Sequence, residues 1–487
     1  MSLQQSIEEL NLRGTRATVL GLGREGLTLA RFLAEQGVEV TVTDQKKAGE
    51  LRSAVESLAG LPVTYRLGEH PLTVLDCDVL FVSPGVPLDA PILLEARQRG
   101  LALSSESRLF CRLCPARVVG VTGSSGKTTT STLVARMLEA SGRRVHLGGN
   151  IGQPLLGRLR EIRSDDVVVA ELSSFQLDFF GPTLDAEPRG DLVSPLFPAG
   201  GWSPPLAVVL NVTPNHLDRH PTIESYVAAK RKIVRYQSPQ DQAVLGWDDP
   251  VARGFAELCP GNVAFFSLCG TPPRGAYLKG DVLVLRDMER ETVVCSVQDV
   301  RLRGRHNVAN VLAACAVSAL LGAVPRQMAE VVTTFAGVEH RLEPAGEWRG
   351  VWYYNDSIAT SPERAMAALR SFSEPIVLLA GGRDKHLPWD DWAELVSRKV
   401  AQVIVFGEAA PLIVQALRRL GRRAPPMHQV EELGKAVTLA ADVAQPGQVV
   451  LLAPGATSFD AFHDYAERGE TFKRLVRALC VEEHVES

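Results

Sequence analysis

The chain has 487 residues, and this length predicts about three domains at a typical size of roughly 150 residues each. A hydrophobic share of 45% and a net charge of −4 exclude a disordered chain and give no basic surface for nucleic acid. The first residues lack the basic and apolar segments of a signal peptide, and no apolar run approaches membrane length. We therefore expect a cytoplasmic protein without a membrane partner.

The first predicted feature is a glycine-rich turn between a strand and a helix. The strand Ala17–Leu20 leads into Gly21-Leu-Gly-Arg-Glu-Gly26, and an amphipathic helix follows that ends at Gly37. The next strand, Val38–Val42, delivers Asp44 about 20 residues after the glycines, which is the spacing of a Rossmann-type site. The pattern predicts a nucleotide-type site but does not identify the nucleotide.

A second ligand-facing turn follows another apolar strand. The strand Val79–Val82 ends in Ser83-Pro-Gly-Val-Pro87, at the sheet edge where such folds bind ligands. We place a boundary near Cys114–Pro115, which gives a first domain of residues 1–114. The close pair Cys111 and Cys114 has no second pair or nearby histidine, so free thiols are expected rather than a zinc site.

The stretch Val118–Thr130 predicts a phosphate-binding loop, because a buried strand runs into a glycine-rich turn and then into a helix. Backbone N–H groups of such a turn converge on an anion, Lys127 can reach the outer phosphates, and the hydroxyl of Thr128 can bind Mg²⁺. The spacing is the shorter Gly-x-x-Gly-Lys-Thr form, since Val121 occupies the position of the first Walker glycine. The residues predicted to hold the triphosphate are Gly123, Ser124, Ser125, Gly126, Lys127, Thr128 and Thr129.

Two more polar residues follow apolar strands at the same predicted sheet edge as Lys127. The strand Asp166–Ala170 delivers Glu171, and the strand Ala207–Leu210 is followed by His216. A carboxylate can hold Mg²⁺ against the γ-phosphate, and an imidazole can bind a second ion. Taken singly, each is more often a polar strand cap, but their common position beside a phosphate loop indicates a metal site.

The remaining pattern predicts two further α/β domains, at residues 115–338 and 339–487. In the first, Phe180–Pro205 is rich in Gly and Pro and is expected to form a surface loop or inserted hairpin, while strands and helices otherwise alternate. In the second, helical segments separate the strands Pro375–Ala380, Gln402–Phe406 and Gln448–Leu452. The expected fold class is α/β, with a Rossmann-like N-terminal domain, a central P-loop ATPase-like domain and a Rossmann-like C-terminal domain.

A series of motifs, in order along the whole chain, resembles those of the Mur ligases. They are Gly120-Val-Thr-Gly-Ser-Ser-Gly-Lys-Thr128, Gly148-Gly-Asn-Ile-Gly152, Glu171-Leu-Ser-Ser-Phe-Gln-Leu177, Asn211-Val-Thr-Pro-Asn-His-Leu-Asp218, Tyr226-Val-Ala-Ala-Lys230, Gly304-Arg-His-Asn-Val-Ala-Asn310, His340-Arg341, Asn355-Asp-Ser357 and Leu452-Ala-Pro-Gly-Ala-Thr-Ser-Phe-Asp460. The resemblance implies a monomeric ligase of cytoplasmic peptidoglycan precursor synthesis that uses ATP and two Mg²⁺ ions. The implied reaction adds D-glutamate to UDP-N-acetylmuramoyl-L-alanine through an acyl phosphate.

The resemblance also implies a role for single residues. Lys127, Glu171, His216 and Lys230 would be catalytic, and Thr128, Glu171, His216 and Lys230 would hold the metal ions. Lys230 matches a lysine that family members carbamylate, which would turn a cation into a two-oxygen Mg²⁺ partner. Without the motif, Lys230 would be interpreted as a solvated helix lysine.

The remaining implied residues bind the nucleotide and the substrates. The nucleotide site would include Asn307, Asn310, Arg341 and Asp356. The UDP moiety would lie near Gly23, Arg24, Asp44, Ser83 and Gly85, and Asn150 would contact the muramoyl substrate. The amino acid would be bound by Thr360, Lys385, Ser458 and Tyr465.

Three departures from the family pattern keep alternatives open. Ile358 replaces the usual lysine after Asn-Asp-Ser, Tyr465 replaces a common phenylalanine, and the loop before Pro205 is longer than expected. The first two departures concern the specificity for the amino acid, so L-glutamate or another amino acid, added by a sister ligase, is the main alternative. A folyl-polyglutamate ligase is a further alternative, but it would lack the UDP-type first domain. A non-catalytic UDP-muropeptide-binding protein would not need the four predicted catalytic residues. A nicotinamide oxidoreductase would use only the glycine turn Gly21–Gly26.

Overall fold

The computed structural model describes residues 7, 10, 12–181, 201–213, 220, 222–385 and 387–482. The chain packs as two compact units, the first formed by Met1–Val300 with His306–Thr333 and the second by Arg301–Arg305 with Thr334–Ser487. Within the described ranges, every helix is too short or too polar to cross a membrane.

The first sheet of the first unit is five-stranded and entirely parallel, in the order β3-β2-β1-β4-β5. Its strands are β1 Arg16–Leu20, β2 Glu39–Asp44, β3 Val63–Leu67, β4 Val79–Val82 and β5 Ala102–Ser104. Its helices are α1 Arg24–Glu35, α2 Arg52–Ser57, α3 Pro91–Gln98 and α4 Glu106–Leu113. The strand order reverses at β1, which lies between β2 and β4, and this switch point is where open α/β sheets bind ligands. The predicted Rossmann-like fold is confirmed.

The second sheet has nine strands in the order β14-β13-β12-β11-β10-β9-β6-β8-β7. They are β6 Arg117–Thr122, β7 Val145–Gly149, β8 Val167–Glu171, β9 Leu206–Val209, β10 Gln242–Gly246, β11 Asn262–Ser267, β12 Arg274–Lys279, β13 Val282–Asp287 and β14 Arg290–Ser296. The helices in this part of the chain are α5 Lys127–Ala140, α6 Ser174–Leu177, α7 Ile223–Arg235, α8 Pro250–Gly254, α9 Arg305–Leu320 and α10 Pro325–Thr334. The predicted stop of α5 is confirmed, because Ser141 caps the helix and Gly142 follows with φ +81°.

The alternating pattern predicted for this region fails between residues 274 and 296. There β12, β13 and β14 form an antiparallel meander at the edge of the sheet. The first turn contains Gly280 with φ +62°, and the second contains Met288 with φ +55°. Two-residue turns between short strands are a hairpin signal, and Gly280-Asp281 carried it in the sequence.

The second unit contains a six-stranded sheet in the order β15-β16-β20-β17-β18-β19, with β15 antiparallel to β16 and the other neighbours parallel. Its strands are β15 Glu343–Trp348, β16 Val351–Asn355, β17 Ile376–Gly381, β18 Val400–Phe406, β19 Met427–Gln429 and β20 Val449–Gly455. Its helices are α11 Pro362–Arg370, α12 Asp390–Lys399, α13 Ala410–Arg418, α14 Leu433–Val443 and α15 Tyr465–Glu482. Apolar clusters cover both faces of the sheet, which confirms the doubly wound prediction.

The pairing of three central strands gathers the phosphate loop and its neighbours at one sheet edge. Strand β6 pairs on one side with β8 and on the other with β9, all in parallel. The residues that follow these strands therefore meet at their carboxyl ends. These residues are the turn after Thr122, the side chain of Glu171 and the side chain of Asn211. The predicted loop Phe180–Pro205 and the predicted ligand His216 lie largely or wholly outside the described residues, in 182–200 and 214–219.

Candidate active site

The turn between β6 and α5 has the shape of an anion cradle. Gly126 adopts φ +82° and ψ −10° immediately before Lys127 begins the helix. A Cβ atom at Gly126 would lie 2.2 Å from Oδ1 of Asn310, so the turn needs glycine for both its conformation and its contact. Asn310 in turn donates from Nδ2 to Oδ1 of Asn307 at 3.0 Å. Of the two asparagines predicted for the nucleotide site, Asn310 thus lies against the phosphate loop and Asn307 lies beside Asn310.

The loop is held from its other side by residues that follow β9 and by helix α7. The backbone N–H of Ser124 donates to the carbonyl of Asn211 at 2.9 Å, and the N–H of Ser125 donates to Oδ1 of Asn211 at 2.9 Å. The hydroxyl of Ser124 also donates to the carbonyl of Thr213 and lies 2.9 Å from the hydroxyl of Tyr226. The loop is therefore fixed by several hydrogen bonds that do not involve a ligand.

Glu171 links the phosphate loop to the glycine-rich segment after β7. Its Oε2 accepts from the hydroxyl of Thr128 at 2.8 Å, and its Oε1 accepts from Nδ2 of Asn150 at 2.8 Å. Gly149 has φ +98°, and a Cβ there would lie 2.4 Å from the carbonyl oxygen of Glu171. A hydroxyl and a carboxylate side by side at the start of a helix are the hard oxygen donors that Mg²⁺ prefers. Thr128 and Glu171 therefore fit a bound Mg²⁺ ion.

Two lysines lie beside the same loop. Nζ of Lys127 donates to the carbonyl of Gly123 at 2.9 Å, and Nζ of Lys230 donates to the same carbonyl at 3.1 Å and to the hydroxyl of Thr122 at 3.1 Å. Lys230 is 1% exposed and lies 4.8 Å from the centre of the Tyr226 ring. Burial lowers the pKa of Lys230 well below its ordinary value, the nearby Lys127 lowers it further, and Glu171 opposes both.

Among the described side chains, there is no group of three or more His, Cys, Asp and Glu residues that could enclose a metal ion. The predicted ligand His216 is outside the described ranges. Among the described residues, Thr128 and Glu171 supply a hydroxyl and a carboxylate side by side at the end of the loop. Sequence reasoning did not single out His220, whose Nε2 lies 3.0 Å from Oγ of Ser174 and whose ring stacks on Phe175.

A cavity of about 450 Å³ opens at the switch point of the five-stranded sheet. The carboxylate of Asp44 fixes two backbone segments at this cavity. Its Oδ2 accepts from the N–H of Leu22 at 2.7 Å, and its Oδ1 accepts from the N–H of Lys46 at 2.8 Å. The hydroxyl of Ser83 donates to the carbonyl of Gly21 at 2.9 Å. The cavity is lined by all six residues that the sequence predicted for the UDP-muramoyl substrate, namely Gly23, Arg24, Asp44, Ser83, Gly85 and Asn150.

A pair of buried carboxyl groups behind this cavity was not predicted. Oε1 of Glu25, which also lines the cavity, accepts from Nε2 of Gln176 at 2.9 Å, while its Oε2 is buried without a described partner. Glu106 is 4% exposed and accepts from the N–H of Leu156 at 3.0 Å. Burial raises the pKa of Glu25 to about 7, and burial together with the charge of Glu25 raises the pKa of Glu106 to about 8.

In the second unit, Asp356 anchors the turn that precedes β15. Its Oδ1 accepts from the N–H of Leu342 at 3.0 Å, where His340 and Leu342 have φ +61° and +45°. Burial raises the pKa of Asp356 to about 6, and the charges of Arg341 and Arg364 oppose this rise. The predicted pair Arg341 and Asp356 therefore lies together in this turn.

The residues predicted for the amino acid lie on segments that follow β16, β17 and β20, at the carboxyl edge of the six-stranded sheet. Lys385 is exposed, Ser458 is 2% exposed, and Tyr465 is 38% exposed. Thr360 is half-buried, as is Ile358 at the position of the family lysine. The segments are joined by hydrogen bonds between Arg383 and Thr457, which exchange two backbone bonds of 2.8 and 2.9 Å.

The chain is similar to known proteins along nearly its whole length. Residues 15–105 match the Mur ligase MurD-like N-terminal domain, residues 121–189 and 199–318 match the Mur ligase middle domain, and residues 340–456 match the Mur ligase glutamate ligase domain. The UDP-N-acetylmuramoylalanine--D-glutamate ligase of Symbiobacterium thermophilum is 45% identical over 467 residues, which cover 95% of this chain and 98% of that protein. The chain belongs to the Mur ligase family.

Other relatives place the chain well inside the Mur ligases. The proteins of the same name from Acetivibrio thermocellus and Roseiflexus sp. are 41% and 40% identical, with 96% of this chain covered and 97% and 100% of theirs. Among solved structures, UDP-N-acetylmuramate-alanine ligase MurC from Thermotoga maritima matches with a TM-score of 0.56 at 18% identity, covering 95% and 99% of the two chains. MurF from Acinetobacter baumannii matches with a TM-score of 0.56 at 16% identity, covering 97% and 98%. These two structures support the three-domain fold.

As a Mur ligase, the chain is an ATP-dependent enzyme that forms amide bonds, and the family uses ATP with Mg²⁺. The cradle at Gly126 and the Thr128–Glu171 oxygen pair are the features of this structure that fit both. Besides His220 and Glu106, the sequence-based prediction missed Gln176, Tyr226 and Glu25. Each lay inside a motif noted in the sequence, but only the tertiary contacts give it a function.

Proposed function

We propose that the chain ligates D-glutamate to UDP-N-acetylmuramoyl-L-alanine in peptidoglycan precursor synthesis. The observation that carries the proposal is that relatives at 37–45% identity over at least 95% of this chain bear the name of that ligase. The cavity at the switch point and the phosphate loop support it, because the reaction needs a site for a nucleotide-linked substrate and a site for ATP.

In the proposed reaction, the alanine carboxylate of the UDP substrate attacks the γ-phosphorus of ATP, and the bond to ADP breaks. The amine of glutamate then attacks the carbonyl carbon of the acyl phosphate, loses a proton, and expels inorganic phosphate. Backbone N–H groups of the loop around Gly126 and the ammonium of Lys127 would stabilise the charge on the phosphates. Asn310, which lies against the loop, and Asn307, which accepts a hydrogen bond from it, would orient the nucleotide.

The proposed metal ligands are Thr128, Glu171, His216 and Lys230, for two Mg²⁺ ions. Bound Mg²⁺ would neutralise phosphate charge during phosphoryl transfer. Glu171 would also orient the muramoyl substrate, since Asn150, which lines the cavity, donates to the same carboxylate. One side chain would thus couple the ATP site to the UDP-substrate site.

Carbamylation of Lys230 is part of this proposal. What supports it is the position of the amine, which is 1% exposed and whose described hydrogen-bond acceptors are a hydroxyl and a carbonyl rather than a carboxylate. A buried ammonium without a carboxylate partner is costly, whereas a carbamate would supply two oxygen atoms beside Glu171.

We assign the binding of the three substrates to three domains. Residues 1–114 would bind the UDP moiety, residues 115–338 would bind ATP, and residues 339–487 would bind the amino acid through Thr360, Lys385, Ser458 and Tyr465. Arg341 and Asp356 would contact the nucleotide from the last domain. The enzyme is proposed to act in the cytoplasm as a monomer.

The test is ADP release with UDP-N-acetylmuramoyl-L-alanine, ATP and Mg²⁺ against D-glutamate, L-glutamate and other amino acids. We expect kcat/KM to be highest for D-glutamate. L-Glutamate is the named competitor, because Ile358 stands where a cation would contact the reacting centre, and one charge-assisted contact is worth about 1.5–3 kcal/mol. A preference for the L form would overturn the assignment of configuration, and activity with neither would indicate a sister ligase.

A further inference from the structure

One arginine in the second unit is completely buried. Arg468, in the first turn of α15, is 0% exposed. Its guanidinium uses all five N–H donors on neutral acceptors. Nε donates to the hydroxyl of Ser357 at 3.0 Å, Nη1 donates to the carbonyls of Thr457 and Gly381 at 3.1 and 3.4 Å, and Nη2 donates to the carbonyls of Ser357 and Ala456 at 3.0 and 3.2 Å.

These acceptors lie on the three segments that carry the proposed amino-acid site. Ser357 comes directly before Ile358 and Thr360, Gly381 leads into the turn that ends at Lys385, and Thr457 precedes Ser458. No two of these segments are neighbours in sequence, yet one guanidinium holds all three.

The backbone around the guanidinium is shaped for this contact. Gly382 has φ +124°, and a Cβ there would lie 2.8 Å from Nη1 of Arg468 and 2.0 Å from the carbonyl oxygen of Thr457. Burial lowers the pKa of Arg468 to about 10, and the charge of Asp460 opposes this effect, so the side chain remains a cation at neutral pH. A buried charge is a poor way to stabilise a fold compared with an apolar side chain of similar size.

The guanidinium of Arg468 and the backbone N–H of Arg383 together fix the direction of one peptide group. In a trans peptide the C=O and the N–H point to opposite sides. Because the carbonyl of Thr457 accepts from Arg468, the N–H of Ser458 points away from the guanidinium. Within the described residues, neither this N–H nor the hydroxyl of Ser458 has a hydrogen-bond partner. These two donors are the groups of Ser458 that we expect to bind a carboxylate of the incoming amino acid.

We propose that Arg468 is a positioning residue for the amino-acid substrate, which aligns Lys385, Ser458 and the segment after Ser357 without contacting the substrate itself. The inference rests on the proposed function, because it assumes that these segments bind the amino acid. It predicts that loss of the guanidinium weakens amino-acid binding selectively.

The test compares Arg468→Met and Arg468→Lys with Arg474→Met, a control at an exposed position of the same helix. The KM values for D-glutamate, ATP and the UDP substrate are measured by ADP release, and folding is checked by thermal unfolding. We expect the KM for glutamate to rise about tenfold or more in both Arg468 variants, the equivalent of losing one charged hydrogen bond. The other two KM values and the control should stay within about twofold.

Lysine cannot reproduce the planar five-donor fork, so Arg468→Lys should resemble Arg468→Met rather than the wild type. If the Met variant does not fold, Ser357→Ala removes the Nε acceptor, together with the hydrogen bond from the same hydroxyl to the carbonyl of Tyr465, and should still raise the KM for glutamate alone. Equal rises in all three KM values would mean that Arg468 is merely structural, and an unchanged KM for glutamate in a folded variant would overturn the inference.

The wild type separates this inference from the proposed function. If wild-type enzyme does not use D-glutamate, the proposed function fails, and the same comparison is made with the amino acid that it does use. If wild-type enzyme uses D-glutamate but the Arg468 variants keep its KM, only the role of Arg468 fails.

Discussion

The carboxyl pair of Glu25 and Glu106, at the cavity beside the switch point of the five-stranded sheet, should make the stability of the first unit decrease as pH rises. Glu106 is 4% exposed, and burial and the neighbouring Glu25 raise its pKa from 4.5 to about 8, while the N–H of Leu156 opposes this rise. Glu25 has a pKa of about 7, raised by burial and lowered in part by Gln176 and Arg24. At pH 6 both carboxyls are therefore largely protonated in the folded protein.

The direction of this change in stability with pH follows from proton binding. Between pH 4.5 and 8 the folded protein binds more protons at these two groups than the unfolded chain does, so the free energy of unfolding falls as pH rises. The stabilisation is fully present below the unfolded pKa and is lost as pH rises through the folded values. The folded pKa values lie about 2 and 3 pH units above pH 5, and each unit is worth about 1.4 kcal/mol, so we expect a loss on the order of 6–7 kcal/mol from pH 5 to 9.

The decisive variant is Glu106→Gln, which keeps an acceptor for the N–H of Leu156 but cannot ionise. Urea unfolding followed by circular dichroism would be measured at pH 6, 7, 8 and 9, with Glu139→Gln at an exposed position as control. We expect the variant to match the wild type near pH 6 and to be more stable than it at pH 9. Parallel pH slopes for the wild type and Glu106→Gln would refute the reasoning, because both proteins would then lack this titration.

Three further predictions concern the ATP site. Lys127→Ala should abolish ADP release but leave UDP-substrate binding by calorimetry nearly intact, and a parallel loss of both would contradict the separation of the two sites. Lys230→Ala should lose activity and recover part of it when small carboxylates are added, whereas substantial activity in Lys230→Arg would exclude the carbamate, since arginine keeps only the cation. Gly126→Ala should raise the KM for ATP at least about tenfold, because its Cβ would lie 2.2 Å from Oδ1 of Asn310. Gly142→Ala, which has a similar φ of +81° but nothing within 4 Å, should cost only about 1 kcal/mol of stability and leave that KM unchanged.

Much of the fold could be predicted because its signals are local. The predicted strand Val79–Val82 has the same bounds in the structure, and the helix after Lys127 ends at the predicted Ser141-Gly142. Apolar runs bounded by glycine turns fix such elements within a few residues of sequence. The antiparallel strands between residues 274 and 296 were missed, because their exposed outer strand β14 lacks the strong apolar run that marks a buried parallel strand.

In the candidate site, too, local patterns could be predicted from the sequence, but contacts between distant parts of the chain could not. Glycine turns and residues after strands could be predicted, since parallel strands end at a common edge. The contact from Gln176 to Glu25 spans 151 positions, and that from Arg468 to Ser357 spans 111. No local pattern predicts such contacts, because a glutamate or arginine in the first turn of a helix is ordinarily solvated.

Burial changes what these side chains do. A solvated glutamate is an anion at neutral pH, but in this fold Glu106 remains largely protonated, since burial raises its pKa to about 8. A solvated arginine binds anions directly, but Arg468 donates every N–H to the backbone and hydroxyl groups of three segments. The residues that we propose to contact substrate could thus be predicted from motifs, whereas those that hold them in place become visible only once the chain has folded around them.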